Sequence, residues 1–190
     1  MALMPIIIAP DARLKIKTKP VDHVDAAVKT LMDNMLETMY AANGIGLAAP
    51  QVGDMRSVIV VDCARQDDNP APIKMANPEI IAVSPNDNTH EEGCLSLPEH
   101  YADVVRPDSI TLRYLSENNE IIEIDADGIL ATCIQHEMDH LEGILFVDHI
   151  SALKRNMILR KLKKVKKQAA EIYERRHDNR HHSLASGLYG

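Results

Sequence analysis

The pentapeptide HEMDH, residues 136–140, carries two histidines four positions apart with a glutamate directly after the first. In a helix, four residues advance the chain by roughly 400° and about 6 Å. His136 and His140 then stack one turn apart, and both rings can reach one metal ion. Glu137 lies about 100° further round, placed to exchange a proton with a water at that ion without ligating it. These are the parts of metal-assisted hydrolysis, and they require a third ligand and a group that stabilises an oxyanion.

Two cysteines compete for the third position. Cys133 shares the helical face of the histidines, yet a metal centred between the two rings is about 7.5 Å of helical rise away from it. A cysteine side chain with a metal–sulfur bond of about 2.3 Å covers less, so Cys133 reads as a pocket wall. Cys94 lies in the glycine-flanked stretch EEGCLSLPE and can approach from another part of the fold. One Cys and two His leave the fourth position open, as a catalytic site requires. Residues 44–51, GIGLAAPQ, contain a G-x-G pair, but it follows a helix and precedes a strand, and it lacks the third Gly and the Lys of a phosphate loop. Nucleotide binding is set aside. What the loop offers is Gln51, an amide able to donate to an oxyanion, and glycines that let a substrate chain approach the backbone.

These groups need a scaffold to bring them together. From Asp22 to Asn43 the apolar residues Val24, Val28, Leu31, Met32, Met35, Leu36 and Met39 keep helical spacing, and Gly44 follows as a stop. Strand signals occur at SVIVVD (57–62), IKMAN, EIIAVS, SITLRYLS and EIIEIDA, the last two around an Asn118-Asn119 turn. Helical spacing returns from about Ile129 to Leu141 and again from about Ala152 to Arg175. The order predicts an α+β fold with an antiparallel or mixed sheet enclosing the HEMDH helix.

The chain has 190 residues, enough for one domain with a sizeable core, and 45% of them are hydrophobic. The apolar start MALMPIIIAP carries two prolines, is too short to span a bilayer, and reads as a segment packed on the core. Three cysteines, at 63, 94 and 133, do not make a secreted disulfide framework and point to a reducing cytoplasm. Residues 151–190 hold eleven Lys and Arg against three acids, a net +8, which leaves −15 on residues 1–150 out of the total of −7. The apolar residues Ile158, Leu162, Val165, Ala169 and Ile172 form one stripe that should face the body while the cations face out.

GIGLAAPQ (44–51), EGCLSLP (92–98) and QHEMDHLEG (135–143), in this order, resemble the three signature motifs of bacterial peptide deformylases, and the resemblance extends from about residue 3 to residue 175. It implies one catalytic domain over residues 1–175; residues 176–190 have no counterpart in the resemblance and are expected to form a flexible tail. The implied activity is removal of the formyl group from N-formylmethionyl peptides. The implied ligands are Cys94, His136 and His140, holding Fe²⁺ natively, with Zn²⁺, Ni²⁺ or Co²⁺ as substitutes. Glu137 is implied as general base and acid, and Gln51 and the Leu95 N–H as the oxyanion site. Gly46 and Gly93 would meet an extended peptide, and Ile129, Thr132 and Cys133 would line the methionine pocket, with Arg106 and Glu92 in support. The basic helix is expected to dock on the ribosome, with no role for DNA or a membrane.

Two other readings compete. A zinc endopeptidase would match HEMDHLEG but needs a third histidine where Phe146 stands. An RNA-binding module with a purely structural metal would need a closed fourth ligand, for which His149 is the best candidate.

Overall fold

The protein is described by a computed structural model. It covers residues 2–64 and 70–185, with side chains described as far as residue 168. Helix α1 (Ala26–Ala41) starts four residues later than the apolar pattern predicts, because the Asp25 carboxylate caps it by accepting from the Val28 N–H at 2.8 Å. It buries Val28, Leu31, Met32, Met35 and Met39. After Asn43, at φ 55°, the chain enters β1 (Gly46–Ala48) and then β2 (Val58–Val61). β3 (Ile73–Val83) joins IKMAN and EIIAVS into one strand, where the spacing suggests two. The interruption is Asn77, at φ 49°, followed by Pro78; a register shift between Ala76 and Glu79 absorbs both without ending the strand.

β4 (Asp87–Gly93) and β5 (Tyr101–Pro107) form a separate antiparallel pair. β6 (Ser109–Leu115) and β7 (Ile121–Asp127) complete a five-stranded antiparallel sheet in the order β1-β2-β3-β6-β7. Then come α2 (Gly128–Leu141) and α3 (Ala152–Ala185). The fold is α+β, as expected, with every paired strand antiparallel.

Period-two alternation along β2 divides the interior. Val58 and Val60 pack with α1, while Ile59 and Val61 pack with Ala131, Cys133 and Ile134 of α2 on the other face. The large sheet is therefore sandwiched between the two helices. A third cluster gathers the N-terminal segment (Ile7, Ala9, Leu14), Leu97 of the β4–β5 connection, Ala102 and Val104 of β5, Phe146 and Leu162 of α3.

α3 differs from its expected form in two ways. It continues to Ala185, past the predicted end at Arg175, since no Gly or Pro interrupts residues 152–185; residues 186–190 of the expected tail lie outside the described residues. Its apolar stripe is also shorter. Leu162 is buried and Ile158 packs on the third cluster, but Val165 is 62% exposed. The body ends beneath Leu162, so the helix has nothing to cover Val165, and the side chains of Ala169 and Ile172 lie outside the described set. Leu162→Ala should therefore destabilise the protein by about 2–4 kcal/mol, and Val165→Ala by much less. Urea denaturation of the two variants checks this; equal losses would place the anchor further along the helix.

Candidate metal centre and its pocket

α2 reaches its site because it lies inside the molecule rather than on it. It touches β1, β2, β5, β6 and β7, and His136, Glu137 and His140 are all at least nine-tenths buried. Cys94 follows the last residue of β4, where a tight turn (Leu97 N–H to Cys94 C=O, 2.9 Å) directs the chain away from the strand. This brings the Cys94 Sγ within 3.2 Å of His140 Nε2. One donor atom from each of Cys94, His136 and His140 lies within 4.8 Å of the others. A soft sulfur and two imidazoles at that spacing fit a single divalent transition-metal ion.

The His136 ring is set by its neighbours. His136 Nδ1 meets Glu92 Oε2 at 2.8 Å, which leaves Nε2 for the site. Glu92 is in turn gripped by Arg106 through Nε at 2.5 Å and Nη2 at 3.0 Å. Arg106 Nη1 reaches Asp139 at 2.9 Å, and Asp139 meets His149 Nε2 at 2.7 Å. Burial works against the Glu92 charge, but His136 and Arg106 outweigh it and hold the carboxyl at about 2. Burial opposes a charge on His136 too, yet the Cys94 sulfur and Glu92 raise its pKa well above the histidine range. A proton and a metal cation thus compete for this ring. His140 is kept neutral, first by burial and then by His136. Glu137 takes no part in this network: its Oε2 has no partner among the described residues, and burial lifts its carboxyl to about 7.

Gln51 sits in a short 3-10 turn after β1. The Ala48 N–H donates to its Oε1 at 2.8 Å, so its amide nitrogen points at the site, 3.4 Å from Cys94 Sγ and 3.1 Å from Ser96 Oγ. Gly46 lies against α2 so closely that a Cβ there would fall 2.8 Å from Cys133 Sγ and onto the Glu137 carboxylate. A cavity of about 480 Å³ opens beside these groups, lined by Gly46, Gly93, Leu95, Tyr101, His136 and Glu137 among others. A smaller recess of about 100 Å³ shares Gly93, His136 and Glu137 with it and is walled by Ile129, Thr132 and Cys133.

The residues singled out from the sequence therefore converge on one place. Cys133 faces the Ile45 carbonyl at 3.5 Å rather than joining the donor cluster. Phe146, at the position where an endopeptidase needs its third histidine, is buried and stacks on His136 with centroids 6.3 Å apart. His149 is engaged with Asp139 and is absent from the three-donor cluster. Sequence reasoning missed Asp139 and Ser96. Asp139 was visible as the carboxylate inside HEMDH itself, three residues after His136 and so on its helical face.

Residues 3–156 match the family model described as Polypeptide deformylase. The chain belongs to the polypeptide deformylase family. A peptide deformylase from Mesorhizobium japonicum is 49% identical over 170 residues, spanning 90% of this chain and 97% of the relative. The crystal structure of a peptide deformylase from Legionella pneumophila superposes with a TM-score of 0.82 at 43% identity, covering 89% of this chain and 98% of the other. A peptide deformylase from Ehrlichia chaffeensis in complex with actinonin gives 0.83 at 38% identity, covering 86% and 98%. Members of the deformylase family are metal-dependent hydrolases that remove the N-formyl group of nascent peptides, and this is the reaction of the present chain. Among the described residues no helix is long and apolar enough to cross a membrane.

The closeness of β1 to the site predicts that Gly46→Ala displaces Glu137 or Cys133. Formate release should fall at least tenfold, with bound metal, measured by atomic absorption, little changed. An active Gly46→Ala enzyme would mean that the strand can withdraw from α2 without consequence.

Proposed function

We propose that Cys94, His136 and His140 hold the deformylase metal, natively Fe²⁺ with Zn²⁺, Ni²⁺ or Co²⁺ as substitutes. We further propose that Glu137 moves the protons of formamide hydrolysis. The observation that carries this reading is the pairing of a three-donor cluster with a buried, unpartnered carboxylate beside it. When bound, such an ion polarises a carbonyl oxygen and brings a water toward a pKa of roughly 7. Glu137 takes the proton of the attacking water as its oxygen adds to the formyl carbon. The Gln51 amide and the Leu95 N–H donate to the oxyanion. Glu137 then delivers its proton to the departing nitrogen, the C–N bond breaks, and formate and a free methionine amine leave. Gly46 and Gly93 present main chain to the extended peptide, and Ile129, Thr132 and Cys133 receive the methionine side chain in the smaller recess.

Metal content and turnover separate these roles. Glu137→Ala should keep its metal and lose about 10²-fold to 10⁴-fold in formate release. Cys94→Ser should lose metal where Cys133→Ser retains it. A metal-loaded Glu137→Ala enzyme with near-normal turnover would remove the carboxylate from the mechanism.

A second element of the reading concerns the partner. Nascent chains are met at the ribosome, in the cytoplasm, and Lys163, Lys164, Lys166 and Lys167 on α3 are all exposed. We propose that this face docks on ribosomal RNA, with an affinity that falls steeply with salt. Reversing the four charges should reduce ribosome cosedimentation and leave hydrolysis of a free formyl-peptide nearly unchanged. Unaltered cosedimentation at low salt would leave the helix a solvated cationic face, held to the acidic body by contacts such as Lys166–Asp11 at 3.5 Å.

A further inference from the structure

His149 stands outside the three-donor cluster, yet its own contact leads back to it. The His149 Nε2–H donates to Asp139 Oδ2 at 2.7 Å, and the same oxygen meets Arg106 Nη1 at 2.9 Å. Arg106 grips Glu92 through its other two nitrogens, and Glu92 Oε2 meets His136 Nδ1. The chain of contacts therefore begins on α2 at His136, crosses β4 and β5, and returns to α2 at Asp139 three residues later. We propose that His149 is a positioning residue for His136, acting through Asp139, Arg106 and Glu92 to hold the ring in its metal-binding orientation. This rests on the reading of His136 as a ligand.

The shape of the guanidinium gives His149 its leverage. A two-pronged contact with Glu92 fixes Arg106 in one plane but lets the two side chains swing together. The third contact, from Nη1 to Asp139, removes that freedom. Asp139 supplies it only while its carboxylate stays turned inward. The Asp139 side chain is 20% exposed against 7% for Arg106, so solvent competes for the carboxylate far more than for the guanidinium. His149 holds it in place. The imidazole is fixed in turn by its own segment, the 3-10 turn Phe146–Asp148 that His149 ends. The His149 N–H donates to the Phe146 carbonyl at 3.1 Å, and Asp148 pairs with Lys15 and accepts from the Leu145 N–H. Phe146 of the same turn stacks on the His136 ring with 24° between the planes. One short turn thus bears on the ring from two sides, directly through Phe146 and at a distance through His149.

The test measures release of Co²⁺ from the loaded enzyme into excess chelator, with the Co²⁺ absorption bands recorded beforehand. Removing a direct partner of a metal-bound histidine typically costs about 10-fold to 100-fold in metal affinity. His149 acts at longer range, so His149→Ala should speed release about threefold to tenfold and shift the bands. His149→Gln, which keeps an N–H for Asp139, should restore both. Adding His149→Ala to Asp139→Ala should change release no further, since His149 acts only through that carboxylate. Unchanged release in His149→Ala, a His149→Gln variant no better than His149→Ala, or additive effects at the two positions overturn the proposal. If Asp139→Ala does not fold, the comparison of His149→Ala with His149→Gln decides alone. His136→Ala separates the two readings. If it keeps Co²⁺, the ligand assignment falls and the proposal with it; if it loses Co²⁺ while His149→Ala releases at the wild-type rate, only the role of His149 falls.

Discussion

A buried helix that sets His136 against the Glu92 carboxylate is tolerable only if that carboxylate is itself partnered, because an unpaired buried charge is expensive. The ion pair of Glu92 and Arg106 meets that requirement, and much of the molecule is arranged around it. Glu92 orients His136; Arg106 closes the pair and reaches on to Asp139 of the same helix. Removing one member of such a buried pair typically costs about 3–5 kcal/mol, more than any surface interaction here would supply. The pair also explains the small second sheet. β4 and β5 exist in register, Glu92 opposite Ala102 and Asn88 opposite Arg106, so that a carboxylate from one strand and a guanidinium from the other face α2 together.

Glu137 shows the complementary device. His136 and Asp139 of HEMDH are tied into the network, while the Glu137 Oε2 is left without a partner among the described residues. Burial and the nearby charge of Glu92 favour its protonated form, against the pull of His136 and Arg106. A carboxyl balanced near neutrality gives and takes a proton with little driving force lost in either direction. The same helix thus holds the His136 ring through Glu92 and leaves the Glu137 side chain chemically uncommitted.

The chemistry was more legible in the sequence than the strands were. HEMDH is local, so helical spacing alone places His136, Glu137 and His140, and the reach of Cys133 along the helix argues against it as a ligand. β2 announces itself as a short β-branched run, and β6 and β7 by alternation. β4 does not: DNTHEEG has no apolar row, since its inward groups are those that serve α2. β5 is masked for a related reason, because its buried row is Ala102, Val104 and Arg106, and an arginine reads as an outward position. β1 is three residues long and wholly buried, too short for any period to show. The unreadable strands are the ones that build the site, where function overrides the pattern that marks an ordinary strand.

The N-terminal segment, which packs as the apolar start suggested, has one more consequence. The Ile7 N–H donates to the Gln51 carbonyl at 2.7 Å, and the Ala9 N–H to the Ser96 carbonyl at 2.9 Å. One short stretch of extended chain therefore spans two loops that have no covalent link near each other, the one bearing Gln51 and the one bearing Cys94. It acts as a strap that sets the gap between the loops that carry the proposed metal ligand Cys94 and the proposed oxyanion donor Gln51. Directed evolution of this enzyme would find rate-tuning positions there, at residues distant in sequence from Gln51, Cys94 and the HEMDH helix.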